Sequence, residues 1–252
     1  MTITFLGTGT STGVPQVGCN CPVCTSLDPR DKRLRCSALF DKGDTRVLID
    51  AGPDLRAQML SVSFRHIDGV LLTHEHYDHI GGVDDLRPHS AYGDVNLYAD
   101  DLCASHLKER LPYCLQRSVY PGVPKLKMIC VCPHQRFKIG DICVTALRVM
   151  HGKLPILGYR LDDVAYITDM KTIPESELQY LQGLKVLVVN GLRHEPHPTH
   201  QTIEDAIAFS RSLGSPQTFI IHMSHHIAQH AAEDALLPEG FHLAFDGLRV
   251  EV

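Results

Sequence analysis

The stretch that most constrains this chain is residues 70–82. Val70-Leu71-Leu72 runs into Thr73, His74, His76, Asp78 and His79 follow at once, and Gly81-Gly82 closes the segment. The apolar run reads as a buried strand. A buried strand opening into imidazoles and a carboxylate delivers at one point the ligand set that divalent metals require. In extended backbone His74 and His76 point the same way, while Asp78 and His79 turn into the next helix and can face a second metal. Neighbouring groups of this kind fit a two-metal site. A His-rich surface loop, the plain alternative, accounts for neither the strand nor the glycine pair.

Composition narrows the class. The 252 residues allow one large domain or two small ones, and a hydrophobic content of 44 % allows a full core. A net charge of −5 argues against a protein that coats nucleic acid. Sixteen histidines are many for this length, and histidine is the commonest metal ligand. Met1–Leu6 has no basic region ahead of an apolar core, and no run approaches a membrane span. The expectation is a cytoplasmic chain without membrane association, its cysteines reduced or metal-bound.

Residues 2–6 alternate like a strand and stop at the glycine-rich 7–13, which matches neither a Walker loop nor a dinucleotide fingerprint. It reads as a phosphate cradle or as a tight turn passing close to the site. Cys19, Cys21 and Cys24 then offer three thiolates within six residues; zinc favours four ligands, so the fourth must come from elsewhere. A redox C-x-x-C does not carry the extra Cys19. The other cysteines read as buried small hydrophobes, Cys130-Val131-Cys132 as alternating strand, and residues 25–35 as a solvated loop.

Residues 36–40 and 46–50 form a hairpin through 41–44. Asp50 at its end either orients a ligand histidine or caps the helix expected over 53–63. Helical segments follow at 83–90 and 100–111, with a strand at 95–98; residues 112–135, rich in proline, suit a substrate-covering insertion. The strand 142–149 delivers His151-Gly152, and the hairpin 157–161/164–168 ends at Asp169, a carboxylate able to bridge two metals. A helix is expected over 174–181. The strand 185–189 runs into His194, His197 and His200. Pro196 and Pro198 rule out a regular helix there. His200 is anchored ahead of a helix that starts near Thr202, with Asp205 completing a capping box, so it is the favoured functional histidine. The strand 218–221 ends in His222, and His225 or His226 supplies the missing fourth ligand of the cysteine cluster. A helix is expected over 230–237.

The His-x-His-x-Asp-His segment at 74–79 resembles the signature of the metallo-β-lactamase superfamily. That resemblance implies an α/β fold, the αββα sandwich of two mixed β-sheets flanked by helices, as a single domain over 1–252 with a Cys-rich zinc-binding loop at 18–36. Further features extend the match: Gly-Thr-Gly at 7–9, Gly-Val-Pro at 13–15, Gly-Cys-x-Cys at 18–21, Cys24, His-x-Lys-Leu at 151–154, Gly158-Tyr159 and His222-x-Ser-His225. Together they resemble the PhnP family, the phosphoribosyl cyclic phosphodiesterases of the carbon–phosphorus lyase pathway.

The resemblance implies roles residue by residue. His74, His76 and His151 hold one metal; Asp78, His79 and His222 hold the other; Asp169 bridges them. The active metals are manganese or zinc. Cys19, Cys21, Cys24 and His225 hold a separate structural zinc, and His200 is the catalytic histidine. The partner is a small phosphate diester, with nucleic acid reduced to cyclic nucleotides, and a homodimer is compatible. His194–His197 departs from the family pattern, as do residues 112–135. Rival readings are a PqqB-like iron-dependent oxidative enzyme, a thioester or lactam hydrolase, and a metal-stabilised binding protein without activity.

Overall fold

A computed structural model describes residues 1–115, 124–214 and 216–252. Its first sheet begins with β1 (Thr2–Gly7), β2 (Ser37–Lys42), β3 (Thr45–Ile49), β4 (Gly69–Leu71), β5 (Val95–Ala99) and β6 (Leu126–Cys130). The second contains β7 (Arg136–Ile139), β8 (Ile142–His151), β9 (Leu154–Leu161), β10 (Val164–Ile167), β11 (Val186–Asn190), β12 (Gln217–Ile221) and β13 (Phe241–Leu243). The last strand, β14 (Arg249–Glu251), returns to the first sheet beside β1.

The strand orders are β14-β1-β2-β3-β4-β5-β6 and β13-β12-β11-β10-β9-β8-β7. Each sheet is antiparallel through one half and parallel through the other: β3 to β6 are parallel in the first, β10 to β13 in the second. The chain therefore builds the same half twice, a repeat that sequence similarity does not reveal.

Side-chain alternation explains how the layers stack. Val47 and Ile49 of β3 join Phe5, Phe40, Leu71, Tyr159, Tyr166, Val188 and Phe219 between the sheets. Leu48, between them in sequence, faces the other way, toward Leu55, Ile80, Leu86 and Leu107 on the helices. The second sheet does likewise with Leu187, Val189 and Ile167 against Ala206 and Leu213. Strands covered on both faces read as unbroken apolar runs, which is why β3 and β11 are buried throughout.

The helices that matter to the site are α1 (Leu55–Leu60), α2 (Tyr77–Ile80), α3 (Asp101–Arg110), α4 (Pro112–Leu115), α5 (Ile203–Ser212) and α6 (His230–Asp234). Helix α5 starts at the capping box: Thr202 Oγ1 accepts from Asp205 N, and the Asp205 carboxylate accepts from Thr202 N. Several expected helices are shorter or tighter. Pro88 lies inside 83–92, which winds as 3₁₀ turns, as does Glu175–Leu181, and α6 ends at Asp234. No helix among the described residues is long and apolar enough to cross a membrane.

Two local expectations are corrected. Residues 25–35 are not simply solvated, because Asp31 and Arg33 are buried. Arg33 donates to Thr8 Oγ1 (2.8 Å) and the Ala244 carbonyl (2.6 Å), and lies 3.0 Å from His230 Nδ1. Of the cysteines read as core, Cys36, Cys103 and Cys114 are buried but Cys130, Cys132 and Cys143 are exposed. Strand β6 ends at Cys130, so the alternating strand expected through Cys132 is cut short. Part of the expected insertion over 112–135 lies outside the described residues.

Candidate metal centre

The site forms where strands of both sheets end. β3 leads to Asp50, β4 to His74 and His76, β8 ends in His151, β10 leads to Asp169 and β12 to His222. Asp50, Asp169 and His222 have φ of 58°, 56° and 59°. Left-handed backbone is uncommon for residues other than glycine and costs on the order of 1–3 kcal/mol each; such residues cluster at functional sites. Here Asp169 and His222 point at one another in the centre, and Asp50 points at the outer nitrogen of His79.

The glycines beside the motif have a steric reason. Ala51 N donates to the His79 carbonyl (2.7 Å) and Gly82 N to the Ala51 carbonyl (2.8 Å). A Cβ on Gly52 would strike the carbonyl of Asp78, and one on Gly82 the carbonyl of Gly52. Asp-x-Gly and Gly-Gly are thus two halves of one close packing that fixes α2. From the other sheet, Leu157 N donates to the Thr73 carbonyl (3.0 Å) and the Tyr159 hydroxyl to the Leu72 carbonyl (2.7 Å).

Two groups of side chains converge, and His151 and Asp169 form a further one with His200. His74, His76 and His151 each offer a ligand atom within 4.8 Å of one another, and so do Asp78, His79, Asp169 and His222. Asp169 faces both. Its Oδ1 lies 3.3 Å from His79 Nε2 and 3.2 Å from His222 Nε2; its Oδ2 lies 4.0 Å from His74 Nε2 and 3.1 Å from His200 Nε2. Burial alone would raise the Asp169 carboxyl, yet His222 and His79 hold it well below the usual carboxylate range. Asp78 is held low in the same way by His79 and His222.

The supporting contacts leave the right atoms free. The Asp50 carboxylate accepts from Thr73 N (2.8 Å) and Thr73 Oγ1 (2.9 Å) and lies 2.7 Å from His79 Nδ1, so His79 presents Nε2 inward. This assigns Asp50 to orienting a histidine; α1 has Asp54 at its cap position instead. His151 Nδ1 donates to the Thr199 carbonyl (3.0 Å), which turns its Nε2 toward the centre. Asn190 Oδ1 accepts from Met170 N (2.7 Å), and its Nδ2 donates to the Met170 carbonyl (3.0 Å), bracing the turn behind Asp169.

These residues fit divalent metals on a structural criterion. Among the described residues, buried His79 Nε2 and both ring nitrogens of His222 find no hydrogen-bond partner. Such orphaned atoms are rare unless an ion satisfies them. The cysteine loop forms a further cluster: Cys19, Cys21, Cys24 and His225 converge within 4.8 Å, with His225 Nδ1 at 3.3 Å from Cys19 Sγ and 3.4 Å from Cys21 Sγ. His226 packs tilted against His225 and is not part of the cluster.

Of the three histidines at 194–200, His200 is buried against Asp169. His194 sits instead between Glu204 (2.6 Å) and Glu233 (2.9 Å). His197 lies 3.1 Å from His200, nitrogen to nitrogen, a pairing the two prolines hid. Asn190, Thr199 and His197 act through contacts distant in the chain or made by an irregular loop, and no period in the sequence marks them.

Comparison with known proteins agrees with this architecture. A family described as "Beta-lactamase superfamily domain" matches residues 45–223. A solved diphosphatase from the PhnP family superposes with a TM-score of 0.92 at 38 % identity, covering 99 % of this chain and 96 % of that one. Zn²⁺-bound PqqB from Methylobacterium extorquens superposes with a TM-score of 0.76 at 20 % identity over the full length of both chains, a likeness of fold. An octanoyltransferase of Porphyromonas gingivalis is 46 % identical over 247 residues, 97 % of this chain. The chain spans only 50 % of that relative's length.

Proposed function

Since the chain belongs to the metallo-β-lactamase superfamily, and within it to the PhnP-like family, we propose that its hydrolase site acts on small phosphate diesters, cyclic ones above all. The observation that carries this reading is Asp169, whose two carboxylate oxygens face different histidine groups while His200 stands on one of them. A carboxylate shared in this way suits two cations a few ångströms apart.

His74, His76 and His151 would hold one cation and Asp78, His79 and His222 the other, with Asp169 between them. Manganese or zinc, when bound, supplies Lewis acidity and activates water for attack at phosphorus. The chain's own acid is His200. As water forms its bond to phosphorus and the ester P–O bond breaks, the Nε2 proton of the imidazolium passes to the departing alkoxide, and the water's proton leaves to solvent. Burial pushes the His200 imidazole down to about 4, while Asp169 acts in the opposite direction. An anionic phosphate bound beside it adds to the effect of Asp169. Cys19, Cys21, Cys24 and His225 would hold a structural zinc away from this chemistry.

The test is hydrolysis by manganese- or zinc-loaded protein of a phosphoribosyl 1,2-cyclic phosphate, 2′,3′-cyclic nucleotides, bis-p-nitrophenyl phosphate, inorganic diphosphate, an octanoyl thioester and a β-lactam. Turnover of the diesters is expected. Turnover of diphosphate alone would favour an anhydride substrate, in keeping with the solved diphosphatase of the PhnP family. Turnover of the thioester alone would favour an acyl substrate, in keeping with the octanoyltransferase that contains a relative of this chain. Inactivity with every metal except iron and oxygen would favour the oxidative reading, and inactivity throughout a binding protein.

A further inference from the structure

We propose that the chain carries a second anion site, away from the metal centre: a cleft on the outer face of β7, β8 and β9 that takes the phosphate group of a small organic phosphate. The proposal is independent of what the metal centre hydrolyses.

Strand alternation builds the floor. Phe137, Val144 and Tyr159 point between the sheets, so Arg136, Thr145 and Arg160, which pair across the three strands, point outward. Lys138 and Cys143 form the next pair on that face. Further along β8, Leu147 is buried in one cluster with Leu178, Tyr180 and Leu181 of the 3₁₀ segment Glu175–Leu181. Beside Thr145 that cover stops and a cleft of about 620 Å³ opens, within the range of small-molecule sites. Arg160 ties the cover to the floor by donating to the Tyr180 and Gln182 carbonyls (both 2.8 Å).

The wall of the cleft is built in advance. His134 Nε2 lies 2.6 Å from Oε1 of buried Glu177, and its ring stacks on Tyr180 with centroids 4.8 Å apart. The Arg136 guanidinium lies 6.0 Å from the centroid of the same Tyr180 ring. His134 has φ of 66°, left-handed backbone held by its amide bond to the Ala146 carbonyl (2.7 Å).

What the cleft lacks is a free acceptor. Among the described residues, the Arg136 and Lys138 cations have no carboxylate partner, and the Thr145 and Tyr180 hydroxyls have no acceptor. The one carboxylate in the lining, Asp162, is already engaged by Lys42 Nζ (2.8 Å) and Cys143 N (3.1 Å). Two cations and two hydroxyls around one space are the donor set that phosphate oxygens require. The chain as a whole has a net charge of −5, so the cleft does not merely sample a basic surface. Thr145 precedes His151 by six residues on β8, which at about 3.3 Å per residue sets the cleft roughly 20 Å from the metal centre. Cations on an edge strand also discourage edge-to-edge pairing; that role alone predicts no ligand.

Exposed Cys143 lies in the lining, so its alkylation reports occupancy. In zinc-loaded protein its labelling by iodoacetamide, a neutral reagent, is followed by peptide mass spectrometry, which separates it from exposed Cys130 and Cys132. Adenosine monophosphate is expected to slow labelling of Cys143 several-fold, adenosine to leave it unchanged, and neither to slow Cys130. Combining Arg136→Gln with Lys138→Gln should raise the Kd read from this protection by about tenfold or more. Lys138→Gln alone should raise it by a smaller factor. Melting temperature and hydrolysis at the metal centre should stay unchanged in both variants. No protection at millimolar adenosine monophosphate, equal protection by adenosine, equal slowing at Cys130, or full protection in the double variant would overturn the proposal.

Discussion

Single residues carry the chemistry here through the atoms they leave free. His200→Ala is expected to lower turnover of alkoxide-leaving diesters by about 10²-fold or more, with metal content by atomic absorption unchanged; loss of metal would make His200 a ligand instead. Asp50 illustrates the next layer. Its carboxylate fixes His79 Nδ1 and both donors of Thr73. Asp50→Asn turns an amide N–H toward an imidazole N–H, so the second histidine group should lose about 10–100-fold in metal affinity, as titration against a chelator would read. An unchanged affinity with only a lowered melting temperature would assign Asp50 to stability alone.

At the scale of elements, loops become rigid where something buried ties them down. The cysteine loop, residues 25–35 and the segment between β12 and α6 have little regular structure beyond a 3₁₀ turn at Pro29–Asp31, yet two devices fasten them. One is the Cys19–Cys21–Cys24–His225 cluster. Cys21→Ser should cost about one zinc per chain and a large part of the stability, because a structural zinc contributes folding free energy directly; an unchanged melting temperature would remove that site from the account. The other is Arg33, buried among Thr8, Ala244 and His230. Arg33→Ala leaves these groups without their donor and should destabilise by about 3 kcal/mol in urea unfolding.

His194 joins elements as well, lying between Glu204 of α5 and Glu233 of α6. Its hydrogen bond to Glu204, aided by Glu233 and opposed by burial, raises its pKa above the ordinary histidine value. A raised pKa means the folded state binds the proton more tightly than the unfolded chain. The stabilisation is complete below about pH 6.5 and is lost as pH rises through the folded-state value. Because the pair is largely solvent-exposed, the amount is about 0.5–1 kcal/mol. The stability difference between wild type and His194→Gln should therefore shrink from pH 6 to pH 9 in denaturant titrations. A constant difference would mean His194 acts by packing.

At the scale of the whole molecule, two copies of one half-architecture place strand ends from both sheets along a single edge. The His74–His76–His151 group and the Asp78–His79–Asp169–His222 group each draw on both sheets. His74 and His76 come from the first and His151 from the second, while Asp78 and His79 meet Asp169 and His222 across the gap. Metal binding should therefore stabilise the association of the two sheets. Stripping metal with a chelator is expected to lower the melting temperature, and metal in excess to restore it by mass action.

The sequence by itself determined the dense metal motif, the apolar strands that deliver it, the histidine and aspartate at later strand ends, and the superfamily these imply. Those signals are local: a strand's alternation and a ligand's place at its end are set by neighbours in the chain. The capping box at Thr202 was readable for the same reason. What only the tertiary structure decided depends on atoms far apart in sequence. Which oxygen of Asp169 meets which group is fixed by how the two sheets stack. The choice of His225 over His226 follows from how the loop after β12 meets the cysteine loop. The burial of Arg33 and the exposure of Cys130, Cys132 and Cys143 depend on what packs over each position. His197 shows the limit most clearly: its spacing from His200 says nothing through two prolines, and only the folded loop brings the two rings nitrogen to nitrogen.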